Sequence, residues 1–233
     1  MILFLGCSFT WGAGLQFEYL IDNEGWSTDD CEKLIPPNSF LEHLNYKSDM
    51  FRKEKHFPNL VAKHFDKHYS LGKFGNGGDN GNATFVLKNL GDFLVHQVKD
   101  RVNPIKLVVI QFTDWTRKPM WTLEQQVDKT IEAIGDTNWI GISWQDDISE
   151  YLKKVRPYNF CPIEFDGVTY DSFEHIINQP PEETQDWRVK HKLTLFGKYN
   201  GKLHDDHFSS KGHEVIAKLS LIHISEPTRL VSI

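Results

Sequence analysis

Apolar residues along the chain follow two rhythms. The unbroken run Ile2–Leu5 and the largely apolar runs at residues 105–112 (IKLVVIQF) and 138–144 (NWIGISW) read as buried strands. Helical spacing alternates with them. Residues 57–69 (FPNLVAKHFDKHY) place Leu60, Val61, His64, Phe65 and His68 on one stripe, with Pro58 near the start. Residues 82–98, 122–134, 146–155 and 209–219 predict further helices. Strands separated by helices need crossover connections, so the expected architecture is α/β, with a mostly parallel central sheet covered on both faces. In such sheets ligands bind beyond the carboxyl ends of the strands.

Two stretches break the rhythm. Residues 16–55 are aromatic and acidic with little periodicity, and residues 156–203 carry Pro180-Pro181 among several aromatic side chains. Both read as ordered insertions into one domain spanning residues 1–218. A chain of 233 residues that is 39% hydrophobic can bury one sizeable core. With 26 basic against 32 acidic side chains, and no basic stripe, it does not look like a nucleic-acid binder. Cys7, Cys31 and Cys161 are an odd number set far apart, which fits a reducing compartment rather than a disulfide framework. No membrane span or signal peptide is evident, and the expected location is cytoplasmic.

The chemistry concentrates near the ends. The first strand runs directly into Gly6-Cys7-Ser8, so Ser8 sits in a strand-to-helix turn at the carboxyl edge of the sheet. Two readings of Ser8 are open, a helix N-cap or a nucleophile. Near the other end, HDDHFSSKGHEVIA offers His207 with Asp205 two residues before it, then a glycine and a helix. A nucleophilic serine needs that pair, because its hydroxyl is a weak nucleophile until an oriented base takes the proton. Asp206 adjoins His207 and has little backbone with which to turn back to the ring, so Asp205 is the expected orienter. His64 and His68 have metal-compatible spacing but lack a third ligand, and the glycines of GNGGDNG lack the lysine of a phosphate loop; no metal or nucleotide site is expected.

These residues resemble a known family. Gly6-x-Ser8-x-Thr10-x-Gly12 is similar to the first block of the SGNH hydrolases, the GDSL esterase/lipase family. FGNGGDN at residues 74–80 resembles the second block, with Gly77 the best match and Gly78 the next. VVIQFTDWTR occupies the place of the third, and DDHFSSKGH resembles the last. The resemblance covers essentially residues 1–217. It implies a three-layer α/β/α sandwich of flavodoxin-like type, a serine esterase with Ser8, His207 and Asp205 as the triad, and an oxyanion hole of the Ser8 and Gly77 N–H groups with Thr113. No metal or organic cofactor is implied. The implied substrate is a small, acetyl-like acyl ester on a carbohydrate or similar polar alcohol, cleaved through an acyl-serine. Trp11 and Asn80 are the expected substrate contacts; for Trp11, as for Trp26 and Tyr19, core packing is the alternative. Two departures stand out. The usual Asn-Asp pair of the third block is Thr113-Asp114 here, and the acid often found three residues before the histidine is His204. Acyl transfer by the same triad, and a non-catalytic carbohydrate-binding or structural module, are the alternative functions.

The tail LSLIHISEPTR, residues 219–229, resembles the translation of a sequencing-library adapter, so residues 219–233 are read as a non-native tail. Truncation after Lys218 is accordingly expected to leave folding and activity nearly unchanged; a large fall in melting temperature would show that the tail packs.

Overall fold

A computed structural model of the chain describes residues 1–27, 30, 45–65, 67, 69–71, 105–113, 115–117, 121–165, 168–173 and 207–225. Its centre is a four-stranded parallel sheet in the order β2-β1-β3-β4, with β1 Ile2–Leu5, β2 Tyr69–Leu71, β3 Leu107–Phe112 and β4 Trp139–Ser143. Register pairs Leu5 with Ile110, and Phe112 with Ser143. An isolated parallel bridge joins Gly141 to Phe160 on the outer side of β4. The helices are α1 Ser8–Trp11, α2 Leu15–Glu24, α3 Tyr46–Lys55, α4 Phe57–His64, α5 Leu123–Ile134, α6 Asp146–Val155 and α7 Ser210–Ser225. A small antiparallel hairpin, β5 Ile163–Phe165 and β6 Val168–Tyr170, follows α6.

Alternation along the strands sorts the core into two clusters. Ile2 and Phe4 of β1, Val109 of β3, and Ile140 and Ile142 of β4 pack with Phe57 and Val61 of α4 and with Ile216 and Ala217 of α7. Leu3, Leu5, Val108, Ile110 and Phe112 face the other way, onto Leu123, Val127 and Ile134 of α5 and Ile148 and Leu152 of α6. Each fully buried Leu, Ile or Phe contributes about 1.5–3 kcal/mol, so both faces of the sheet must be covered. Local signals agree with the packing. Thr122 and Gln125 form a reciprocal capping box at the start of α5. Among the described residues no helix is long and apolar enough to cross a membrane.

Several boundaries differ from the sequence reading. The helix expected over residues 57–69 ends at His64, and Tyr69 instead opens β2, where it pairs with Ile2. Pairing with the central strand wins over helical spacing there. Among its described residues the stretch 16–55 includes helices α2 and α3, whose stripes are masked by buried polar residues such as Gln16, Ser48 and Arg52. Likewise the last helix continues past Lys218 to Ser225. No glycine or proline interrupts the chain between Gly212 and Pro227, so nothing local breaks it. The helix expected at 82–98 lies outside the described residues, as do Cys31 and His68.

Two histidines are enclosed completely. His56, between α3 and α4, has Nε2 2.8 Å from the Tyr69 hydroxyl, and burial with the Arg52 charge nearby brings its pKa down to about 3. The Phe57 N–H donates to Nδ1 of His213 at 3.3 Å, which places the imidazole proton on Nε2, and burial holds its pKa well below the ordinary value. Both are therefore neutral in the folded chain. Below an ordinary pKa of 6.5 the unfolded chain binds the extra protons, so stability falls as pH falls. The expected loss from His56 alone is about 1.4 kcal/mol per pH unit. Chemical denaturation at about pH 7.5 and about pH 5 should show it, with a flatter slope for His56→Gln; a pH-independent wild type would contradict neutral burial.

Candidate active site

The first strand delivers a compact turn to the carboxyl edge of the sheet. Cys7 occupies the N-cap of α1 in an extended conformation, without a side-chain cap bond, and Ser8 is the first helical residue. The N-cap alternative for Ser8 therefore does not describe this turn. One turn later Gly12, at φ 86°, closes the helix, and its N–H donates to the Ser8 carbonyl at 3.0 Å. A side chain rarely adopts that φ, and glycine does so without strain.

Gly6 is required for a different reason. A Cβ there would lie 1.9 Å from Thr10 Oγ1 and 3.0 Å from Gln111 Cβ. The absent side chain lets the Thr10 hydroxyl reach Gln111 Oε1 on β3, to which it donates at 2.6 Å. Both residues are buried, so this bond pins the Ser8 turn to the neighbouring strand. From the other side Arg52 of α3 donates to the Trp11 carbonyl at 2.8 Å, while Asp49 holds its guanidinium at 2.8 Å. The guanidinium lies 3.9 Å from the centre of the Trp11 ring. Trp11 is buried, with that ring face occupied by a cation, so it follows the packing alternative rather than the substrate contact expected from the sequence. Tyr19 packs on Phe51, with ring centres 5.6 Å apart.

His207 arrives from the far end of the chain, just before α7. Its Nε2 stands 2.7 Å from Ser8 Oγ, although 199 residues separate the two. In the tautomer protonated on Nδ1, the Ser8 hydroxyl donates to Nε2. Both residues are half-buried, which leaves the pair reachable while lowering the local dielectric. The imidazole rests on Phe9, ring centres 4.6 Å apart, and Phe9 in turn meets Trp144 at 4.3 Å and Phe208 at 5.0 Å. This aromatic cluster limits how far the imidazole can swing.

Chemically, a hydroxyl hydrogen-bonded to an imidazole at the edge of a parallel sheet can be deprotonated as it attacks an electrophile. Thr113 follows β3 directly and is buried. Gly77, Asn80, Asp205 and Asp206, along with Gly78 and Asp114, lie outside the described residues. The sequence reading missed Gln111 and Arg52. Gln111 did carry a signal, as a polar residue inside the apolar run LVVIQF; Arg52 carried none. No protein-family model, curated protein or solved structure matches this chain.

The close approach at Gly6 yields a test of how the turn is built. Gly6→Ala is expected to destabilise by about 1–3 kcal/mol, as overpacking does. Adding Thr10→Ala should recover part of that loss, because the worst clash is with the threonine hydroxyl. Strictly additive losses in urea denaturation would contradict the contact.

Proposed function

We propose that this protein is a serine esterase built as a three-layer α/β/α sandwich of the SGNH type. The observation that carries the reading is the 2.7 Å approach of His207 Nε2 to Ser8 Oγ. The strand order β2-β1-β3-β4, extended at its edge by the Gly141–Phe160 bridge, agrees with a flavodoxin-like sheet. In that order the crevice between β1 and β3 is where a ligand binds, and Ser8 and Thr113 stand at the ends of those two strands.

In the proposed reaction the Ser8 oxygen attacks an ester carbonyl while His207 takes its proton. Asp205 holds the imidazole in the required tautomer and stabilises its cation. Ser8 opens α1, so its own N–H has no intrahelical acceptor and is available to the tetrahedral oxyanion, together with the N–H of Gly77 and the Thr113 hydroxyl. Collapse expels the alcohol, which takes its proton from His207, and water clears the acyl-serine by the same steps. A small, acetyl-like acyl group on a carbohydrate or similar polar alcohol is the proposed substrate. The placement of the cap on Cys7, with the Ser8 hydroxyl turned to a base, favours this reading over a non-catalytic module.

Hydrolysis of p-nitrophenyl acetate tests the proposal. Ser8→Ala and His207→Ala should each abolish turnover while changing stability by no more than about 1 kcal/mol. Asp205→Asn should lower the rate strongly, and Asp206→Asn only slightly. Wild-type rates in either the Ser8 or the His207 variant would overturn the dyad; the reverse order of the aspartates would reassign the acid.

A further inference from the structure

A second link joins the two ends of the chain beside the dyad. Glu18, on α2, accepts the Ser210 N–H at 2.7 Å with one carboxylate oxygen, and the Ser210 hydroxyl at 2.5 Å with the other. Ser210 is the first residue of α7, and only Phe208 and Ser209 separate it from His207. We propose that Glu18 is a positioning residue for His207, fixing the segment that presents the imidazole to Ser8.

Three features carry this role. The apolar contacts of α7 with the core, through Ile216 and Ala217, are non-directional, and the one bond described above, from the Phe57 N–H to His213, holds the helix a turn beyond the segment that presents His207. Two hydrogen bonds from one carboxylate to one residue are directional, and they fix where the helix starts. Glu18 is also not needed as the cap of α7, because Ser209 Oγ already accepts the Gly212 N–H at 3.2 Å. The carboxylate therefore acts between elements rather than within the helix, with the added benefit of a negative charge at a helix N-terminus. Finally, α2 follows α1 through a short glycine-containing turn, so the clamp refers His207 to the same continuous stretch that bears Ser8. Burial raises the Glu18 pKa, opposed by the bonds to Ser210, as expected for a half-buried carboxylate held by two donors.

The kinetic consequence rests on the esterase reading, whereas the geometric consequence does not. The full chain is therefore examined in two ways. In 15N spectra, the His207 ring signal that changes in Ser8→Ala should shift the same way in Glu18→Ala. In ester hydrolysis, Glu18→Ala should lower kcat about 10- to 100-fold with KM within about threefold, since a displacement of about 1 Å can cost that much. Glu18→Gln, which keeps one acceptor oxygen, should fall between. Ile134→Val, in the cluster on the opposite face, supplies a destabilised control whose kcat and His207 signal should not change. An unshifted His207 signal in Glu18→Ala overturns the clamp, whether or not the protein turns over ester. Where the wild type hydrolyses ester, so does a kcat equal to that of the control. A shifted signal in Glu18→Ala, where the wild type hydrolyses no ester, upholds the clamp and removes the esterase reading instead.

Discussion

The contact between Ser8 and His207 ties the start of the chain to a segment near its other end, and the surrounding structure acts to hold that distance. Ordering so long an intervening chain carries a large entropy cost, so the approach persists only if each partner is fixed on its own side. Ser8 is fixed by the absence of a side chain at Gly6, the Thr10–Gln111 bond and the Arg52 bond to the Trp11 carbonyl. His207 is fixed by stacking on Phe9 and by the start of α7 two residues beyond Phe208. Phe9 belongs to both sets, since it lies in the Ser8 turn and supports the imidazole.

The sheet makes this arrangement possible. With β1 central, flanked by β2 and β3, its carboxyl end opens between two neighbours rather than at an edge. The chain moves outward from β1 to β2 and then returns to β3 on the other side, and such a reversal leaves a crevice at the strand ends. Burial keeps His56 and His213 neutral in the packed interior, and the buried Arg52 guanidinium is bonded by Asp49 and the Trp11 carbonyl. The site thus stands on a polar as well as an apolar foundation.

Much of the scaffold was legible before any coordinates. Ile2–Leu5 and Asp146–Val155 appear with the bounds read from the pattern, because an unbroken apolar run and a strongly amphipathic helix each admit one solution. The parallel sheet followed from the alternation of strands and helices. Less legible were α2 and α3, whose buried faces include Gln16, Ser48 and Arg52, polar residues that hide the apolar stripe. Tyr69 was assigned to a helix by spacing and to a strand by pairing with Ile2, a contact across 67 residues that no local window contains.

For the site, the sequence alone determined the types and order of the candidate groups, with Ser8 in a turn after the first strand and His207 before the last helix. It could also place glycine at positions 6 and 12 without saying why. Only the tertiary structure decided that Cys7 and not Ser8 takes the cap position, that Trp11 is covered by Arg52, and that Glu18 reaches Ser210. The physical reason is range. Propensity and periodicity act over a few residues and are written locally, whereas hydrogen bonds such as Ser8–His207 and Glu18–Ser210 depend on where distant elements come to rest.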